Sequence, residues 1–171
     1  FNLFENNIKA LDKGKLSVIY QHIESDVSVK LFLKKLKQQK EVSYDLYTEK
    51  NGDYETTLKS ISFCWQNDIC YVLKSDIKKF DEIIKIFFEN DEIAKISNDL
   101  KFDIKVLNRK KITILGDIFD IKLAHYLINP DISHDLINLS NNYLNVSVNK
   151  KFEELKDYEV SCLTYKLKNL L

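Results

Sequence analysis

The residues with the most chemical potential in this chain lie on the stretch Glu41–Thr48, which reads EVSYDLYT. At the period of two that a strand imposes, Val42, Tyr44, Leu46 and Thr48 point one way, and Glu41, Ser43, Asp45 and Tyr47 the other. Asp45 is thus a carboxylate in the middle of a β-rich run, with the Tyr47 ring two residues on along the same face. A carboxylate so placed is a hard oxygen donor of the kind that holds a divalent cation. The other reactive side chains are less organised. Cys64, Cys70 and Cys162 are an odd number without a Cys-x-x-Cys pair, and read as buried or half-buried free thiols of a reducing compartment. His22, His125 and His134 are scattered, and none reads as a metal ligand.

The chain of 171 residues is long enough for one domain with a real core and short for two. Its 44% apolar and 12% aromatic content is that of a globular protein, without a disorder signature. No apolar run approaches 18 residues, and no signal-peptide pattern is present. Formal charge is zero, with 26 basic against 26 acidic residues, and Arg109 is the only arginine. The positive excess and bidentate arginines of a typical nucleic-acid binder are therefore missing, although a local lysine patch remains open. The chain starts at Phe1 and has no Met, which suggests a piece of a longer polypeptide or a processed product.

Around Asp45 the expected elements run in order. Phe1–Lys13 is a leading segment or linker closed by Gly14. Lys15–Ile23 alternates as a first strand, and Ser25 or Asp26 caps a helix over Val27–Gln39. The strand at 41–48, a turn at Asn51-Gly52-Asp53, a strand over Thr57–Trp65, a turn at Gln66-Asn67-Asp68 and a strand Ile69–Lys74 make a three-stranded antiparallel meander. Next, Ser75 caps a helix Asp76–Asn90, Glu92–Ser97 is a strand, and Asp99 caps a helix Leu100–Asn108. Lys111–Leu115 reads as another strand. Asp117 or Asp120 starts a helix through Ile128, which Pro130 stops. Ser133 caps a helix to Tyr143, and Lys150–Leu171 reads as one long helix. The expected fold is α/β, a mixed sheet with helices on both faces, in a single domain covering 1–171 with 1–14 as linker.

Several of these stretches resemble the 3′–5′ proofreading exonuclease domain of bacterial family A DNA polymerases, the DNA polymerase I type, which has a ribonuclease H-like fold. The strongest match is Gly116–Leu144, GDIFDIKLAHYLINPDISHDLINLSNNYL. It is similar to the family's Phe-Asp, a helix ending Tyr-Leu-Leu-Asn-Pro, then His-Asp-Met, Leu and Tyr-Leu. Ser97–Asp103, SNDLKFD, resembles Gln-Asn-Leu-Lys-Tyr-Asp, and Ile61–Cys64 follows Asp45 as the next strand should. The likeness runs from about residue 15 to the end. The ribonuclease D type shares the fold but matches the Leu-Ile-Asn-Pro and His-Asp-Leu portion less well.

In that family four carboxylates hold two divalent metals for an in-line phosphodiester attack. Carried over, the first Asp of Asp-x-Glu is Asp45 and the Asp of the second motif is Asp103. The Glu falls on Tyr47, a poor magnesium ligand. Glu49, roughly 6–7 Å further along the strand, substitutes poorly. The third motif, Tyr-x-x-x-Asp, places Lys156 at the Tyr and Val160 at the Asp, or, two residues on, Tyr158 and Cys162. Neither register keeps the aspartate. The loop Asn145–Lys150 is also shorter than the family's.

What the resemblance implies is therefore a vestigial exonuclease domain, with Asp45 and Asp103 as remnant carboxylates and Tyr47, Val160 and Lys156 as lost positions. No cofactor is expected, and magnesium only with residual nuclease activity. Two facing carboxylates without a cation would raise one another's pKa. The domain would act as a scaffold in a cytoplasmic DNA polymerase I-like replication and repair enzyme, a DNA-directed DNA polymerase. Its expected partners are the polymerase domain of the same polypeptide and, through the parent enzyme, DNA, with no membrane and a monomeric state. Two alternatives stand beside it. One is an active metal nuclease using Asp45, Asp103 and Glu49 or Asp157; the other is a free-standing ribonuclease H-like interaction module. Asp117, Asp120 and Ser133 read as helix caps, and Trp65 and Tyr47 as core or cleft filling rather than base-stacking platforms.

Overall fold

The computed structural model describes residues 14–51, 55–144 and 146–171. The leading segment Phe1–Lys13 and Gly52-Asp53 of the expected turn lie outside the described residues. The chain lays down β1 (Gly14–Lys15), β2 (Ile19–Ile23), α1 (Asp26–Leu36), β3 (Glu41–Asn51), β4 (Glu55–Gln66), β5 (Ile69–Lys74) and α2 (Phe80–Phe88). It continues with β6 (Ala94–Ser97), α3 (Leu100–Arg109), β7 (Ile118–Asp120), α4 (Ile121–Ile128), α5 (Leu136–Tyr143) and β8 (Val146–Ser147). A 3-10 turn at Phe152–Glu154 leads into α6 (Asp157–Lys168).

The main sheet has six strands in the order β2-β5-β4-β3-β6-β7. β3, β4 and β5 form the expected antiparallel meander, and β2, β6 and β7 join in parallel. β1 pairs separately with β8. The alternation along β3 sets the two layers. Val42, Tyr44 and Leu46 face a core shared with Phe32 and Leu36 of α1, Ile84 and Phe87 of α2, and Val106 and Leu107 of α3. Burying each such side chain contributes about 1.5–3 kcal/mol. The opposite face carries Ile96 and packs on α4, α5 and α6 through Ile121, Leu139, Leu163 and Leu167.

Beneath α6 the sheet is floored by small residues. Asp45 is paired with Ser62, Tyr47 with Ser60, and Ser43 with Cys64. Ser43 Oγ lies 2.6 Å from Ser161 O, and Ser62 Oγ donates to Asp157 O at 2.8 Å. Short hydroxyls thus let the helix backbone settle onto the strands.

Four expected elements differ. The helix expected from Asp76 begins at Phe80, because residues 75–79 form turns. Ile77 N donates to Lys74 O and Phe80 N to Ile77 O, both at 3.2 Å, and Lys79 adopts a left-handed φ of 65°. Lys79, not Ser75, is the N-cap. The strand expected over Lys111–Leu115 is absent: Ile112 and Ile114 pack into the helical layer, and Leu115 N donates to Phe88 O at 2.8 Å. Gly116 then turns the chain into β7 at φ 80°, where a Cβ would sit 2.6 Å from Asp91 O. Asp135, not Ser133, caps α5 by accepting from Asn138 N at 2.9 Å. The tail is not one helix from Lys150, since α6 starts at Asp157 and Phe152 is exposed. Among the described residues no helix is long and apolar enough to cross a membrane.

Candidate active-site cleft

Asp45 and Tyr47 project from β3 into a cleft of about 450 Å³, whose far walls are α3 and the start of α6. Asp103 enters from the first turn of α3, and Val160 and Asp157 from α6; Phe152, Lys50 and Lys122 stand at its rim. Three local devices hold these walls. Asp99 caps α3 by accepting from Phe102 N at 3.2 Å, and its carboxylate pairs with Lys122 at 2.8 Å. Asp120 caps α4 through Leu123 N at 2.9 Å and also accepts from Leu100 N at 2.9 Å, tying the two helix starts together. Ser60 Oγ donates to Asp157 Oδ2 at 2.6 Å, fixing the N-terminus of α6 on β4.

The electrostatics follow from burial. Asp103 is 6% exposed, and Ser97 Oγ donates to its Oδ2 at 2.6 Å. Desolvation pushes its carboxyl up to about 7, against the downward pull of the Ser97 hydrogen bond. Asp45 keeps part of its surface in the cleft, yet the surrounding protein desolvates it. Its pKa is raised well above the carboxylate range, first by that desolvation and then by the Asp103 and Asp157 charges. The Tyr44 phenol, buried from the other face, is raised by burial first and by the Asp103 charge second. Burial thus disfavours the ionised form of both carboxylates.

Asp45, Asp103, Tyr47 and Val160 all line this one cleft. Lys156 does not; it is exposed and serves as the backbone N-cap of α6. Of the alternative register, Tyr158 stacks on Tyr20 at 4.1 Å, and Cys162 is fully buried beside Cys64 and Cys70. Glu49 is exposed and pairs with Lys59 at 3.4 Å, beyond a bulge between Tyr47 and Thr48. Trp65 is a core residue, stacked on Tyr71 at 4.5 Å. Asp117 caps no helix, whereas Asp99 and Asp120 cap as expected. Sequence reasoning missed Ser60 and Ser97, whose contacts are set by tertiary packing, and Asn98, whose buried Oδ1 lacks a hydrogen-bond partner. Among the described residues, no trio of carboxylates or histidines brings its ligand atoms all within 4.8 Å of one another.

Comparison with known proteins agrees with this layout. A family model described as 3′–5′ exonuclease, the DNA polymerase A type, matches residues 20–164. The fold is similar to the catalytic core of RRP6 from Trypanosoma brucei, with TM-score 0.70 and 16% identity over 94% of this chain and 50% of that one. It is similar to Escherichia coli RNase D, with TM-score 0.71 and 12% identity over 88% of this chain and 43% of that one. It is also similar to the POL domain of Pol1 from M. smegmatis, in complex with DNA primer-template and dNTP, with TM-score 0.71 and 13% identity over 87% and 26%. The chain thus spans half or less of the length of these three. The six-stranded mixed sheet is of the ribonuclease H-like kind, and the chain belongs to the 3′–5′ exonuclease family as a domain of the DNA polymerase I type.

Proposed function

We propose that this is a degenerate 3′–5′ exonuclease domain that does not hydrolyse nucleic acid and acts as a scaffold in a DNA polymerase I-like enzyme of DNA replication and repair. The reading rests on the donor set of the cleft. Two-metal hydrolysis, which family membership implies, needs hard oxygen ligands clamping cations about 3.5–4 Å apart. The residues present do not fit such a pair. Tyr47 and the apolar Val160 stand where resemblance puts two carboxylates, and Asp157 is held by Ser60. Asp103 already spends one carboxylate oxygen on the Ser97 hydrogen bond.

The polymerase portion of the same polypeptide is the partner in this reading. DNA reaches the domain only through that parent enzyme, in the cytoplasm. A family A polymerase encoded directly after Leu171 supports the scaffold; a stop codon there favours a free-standing interaction module. One observation favours a second reading, a nuclease with rearranged ligands: Asp157 lines the same cleft as Asp45 and Asp103, and its charge acts on Asp45. The deciding test is degradation of a labelled single-stranded oligonucleotide with magnesium or manganese. Inert protein supports the scaffold, whereas cleavage that disappears in both Asp45→Ala and Asp157→Ala establishes the rearranged site.

A further inference from the structure

Away from the cleft, three thiols from separate elements meet. Cys64 on β4 and Cys70 on β5 are paired across the hairpin, flanking its Gln66–Asp68 turn. Cys162 descends onto them from α6. All three are fully buried, and their sulfurs lie within 4.8 Å of one another. Among the described residues this is the one group of three His, Cys, Asp or Glu side chains gathered so closely. Ser43, Ser60 and Ser62 fill neighbouring positions of the floor beneath α6, so small size alone does not require cysteine at 64 and 70.

We propose that Cys64, Cys70 and Cys162 form a buried tri-thiolate site for a soft, closed-shell metal cation of the zinc(II) or copper(I) class. Soft thiolates select such ions over magnesium or calcium. With metal–sulfur bonds of about 2.3 Å, three thiolates around one ion sit about 3.8–4.0 Å apart, so small side-chain rotations close the site. Three sulfurs complete a trigonal copper(I) centre, or supply three corners of a zinc tetrahedron whose fourth ligand comes from outside the trio.

As thiols, Cys64 donates to Gln66 O at 3.1 Å and Cys70 to Tyr158 O at 3.3 Å. Metal binding replaces these S–H protons and releases them to solvent. Beside the thiols, Lys166 of α6 pairs at 2.5 Å with Asp68 of the hairpin turn. The bound ion would clip α6 to the β4–β5 hairpin, and α6 carries Asp157 and Val160 of the cleft.

The test uses the reduced, metal-stripped protein, titrated anaerobically with cobalt(II) as a spectroscopic stand-in for zinc, then with zinc(II), and separately with copper(I) against a competing chelator. The proposal expects about one ion per chain. Cobalt would give thiolate-to-metal charge-transfer absorption, and melting would rise by about 5–10 °C at a free ion concentration a hundredfold above Kd. Cys162→Ala and Cys70→Ala should each abolish the absorption and the rise. Should either variant fail to fold, thiol labelling of wild type in mild denaturant decides: bound ion should slow the labelling of three thiols, and chelator should restore the faster rate of the metal-free protein. Uptake of neither ion, or uptake with the three thiols labelled no more slowly, overturns the proposal; uptake that survives Cys162→Ala does so equally.

Discussion

The hydroxyl of Ser60 on β4 donates to the Asp157 carboxylate at the first turn of α6, at 2.6 Å. This contact joins residues far apart in the chain and sets how the helix that closes the cleft sits on the sheet. It also occupies one oxygen of the acidic side chain that α6 turns into the cleft. Ser60→Ala should therefore destabilise the fold by about 1.5 kcal/mol, the low end for a hydrogen bond to a charged acceptor. Urea denaturation of the variant beside wild type measures it, and an unchanged midpoint would mean the contact does not anchor α6.

Asp103 links stability to pH. Its carboxyl titrates near about 7 in the fold and near about 3.9 in an unfolded chain. The folded state thus binds the extra proton between those values, and stability falls as pH rises from about 4 through 7. Below pH 4 the contribution is fully present; above pH 7 it is lost. Asp103→Asn, which keeps the hydrogen bond and cannot ionise, should flatten this dependence and be the more stable protein at pH 8, by on the order of 2–4 kcal/mol. Parallel urea titrations from pH 4 to 8 check it.

Lys95 on β6 is fully buried and donates its ammonium to Asn90 O and, at 2.6 Å, to Leu115 O. Burial holds its pKa down to about 8. The side chain pins the crossing segment before β7 to the end of α2. Lys95→Met leaves both carbonyls unpartnered and should cost about 1–3 kcal/mol, read as a lowered melting temperature with faster amide exchange near Leu115.

How far the sequence led can be seen residue by residue. Alternation along 41–48 was enough to put Asp45 on one face and Tyr44 in the core, because strand parity is a local property. Asp99 and Asp120 were legible as caps for the same reason: a cap bonds within three residues of itself. Ser133 and Ser75 misled, since a serine near a helix start competes with whichever neighbour geometry favours, here Asp135 and the left-handed Lys79. Ile112 and Ile114 alternate like a strand but serve the helical layer, a choice made by tertiary packing. The Ser60–Asp157 and Ser97–Asp103 contacts and the meeting of three thiols were illegible. Spacing along the chain does not say which side chains the fold brings together.

Restoring carboxylates should restore a demand for metal. In Tyr47→Glu/Val160→Asp, an acid enters a position only 3% exposed at Val160. Without divalent cation the double variant should be several degrees less stable than wild type, through buried like charges. Added magnesium or manganese should recover most of that loss while leaving wild type unmoved. Equal melting with and without metal would mean that the cleft geometry cannot gather ligands even when they are supplied.

The most direct measurement is 3′–5′ degradation of an end-labelled single-stranded oligonucleotide by wild type, Asp45→Ala and Tyr47→Glu/Val160→Asp, each with magnesium and with manganese. Wild type and Asp45→Ala should leave the oligonucleotide intact alike. Stepwise shortening by wild type that Asp45→Ala abolishes would contradict the degenerate site and assign catalysis to carboxylates this cleft still holds.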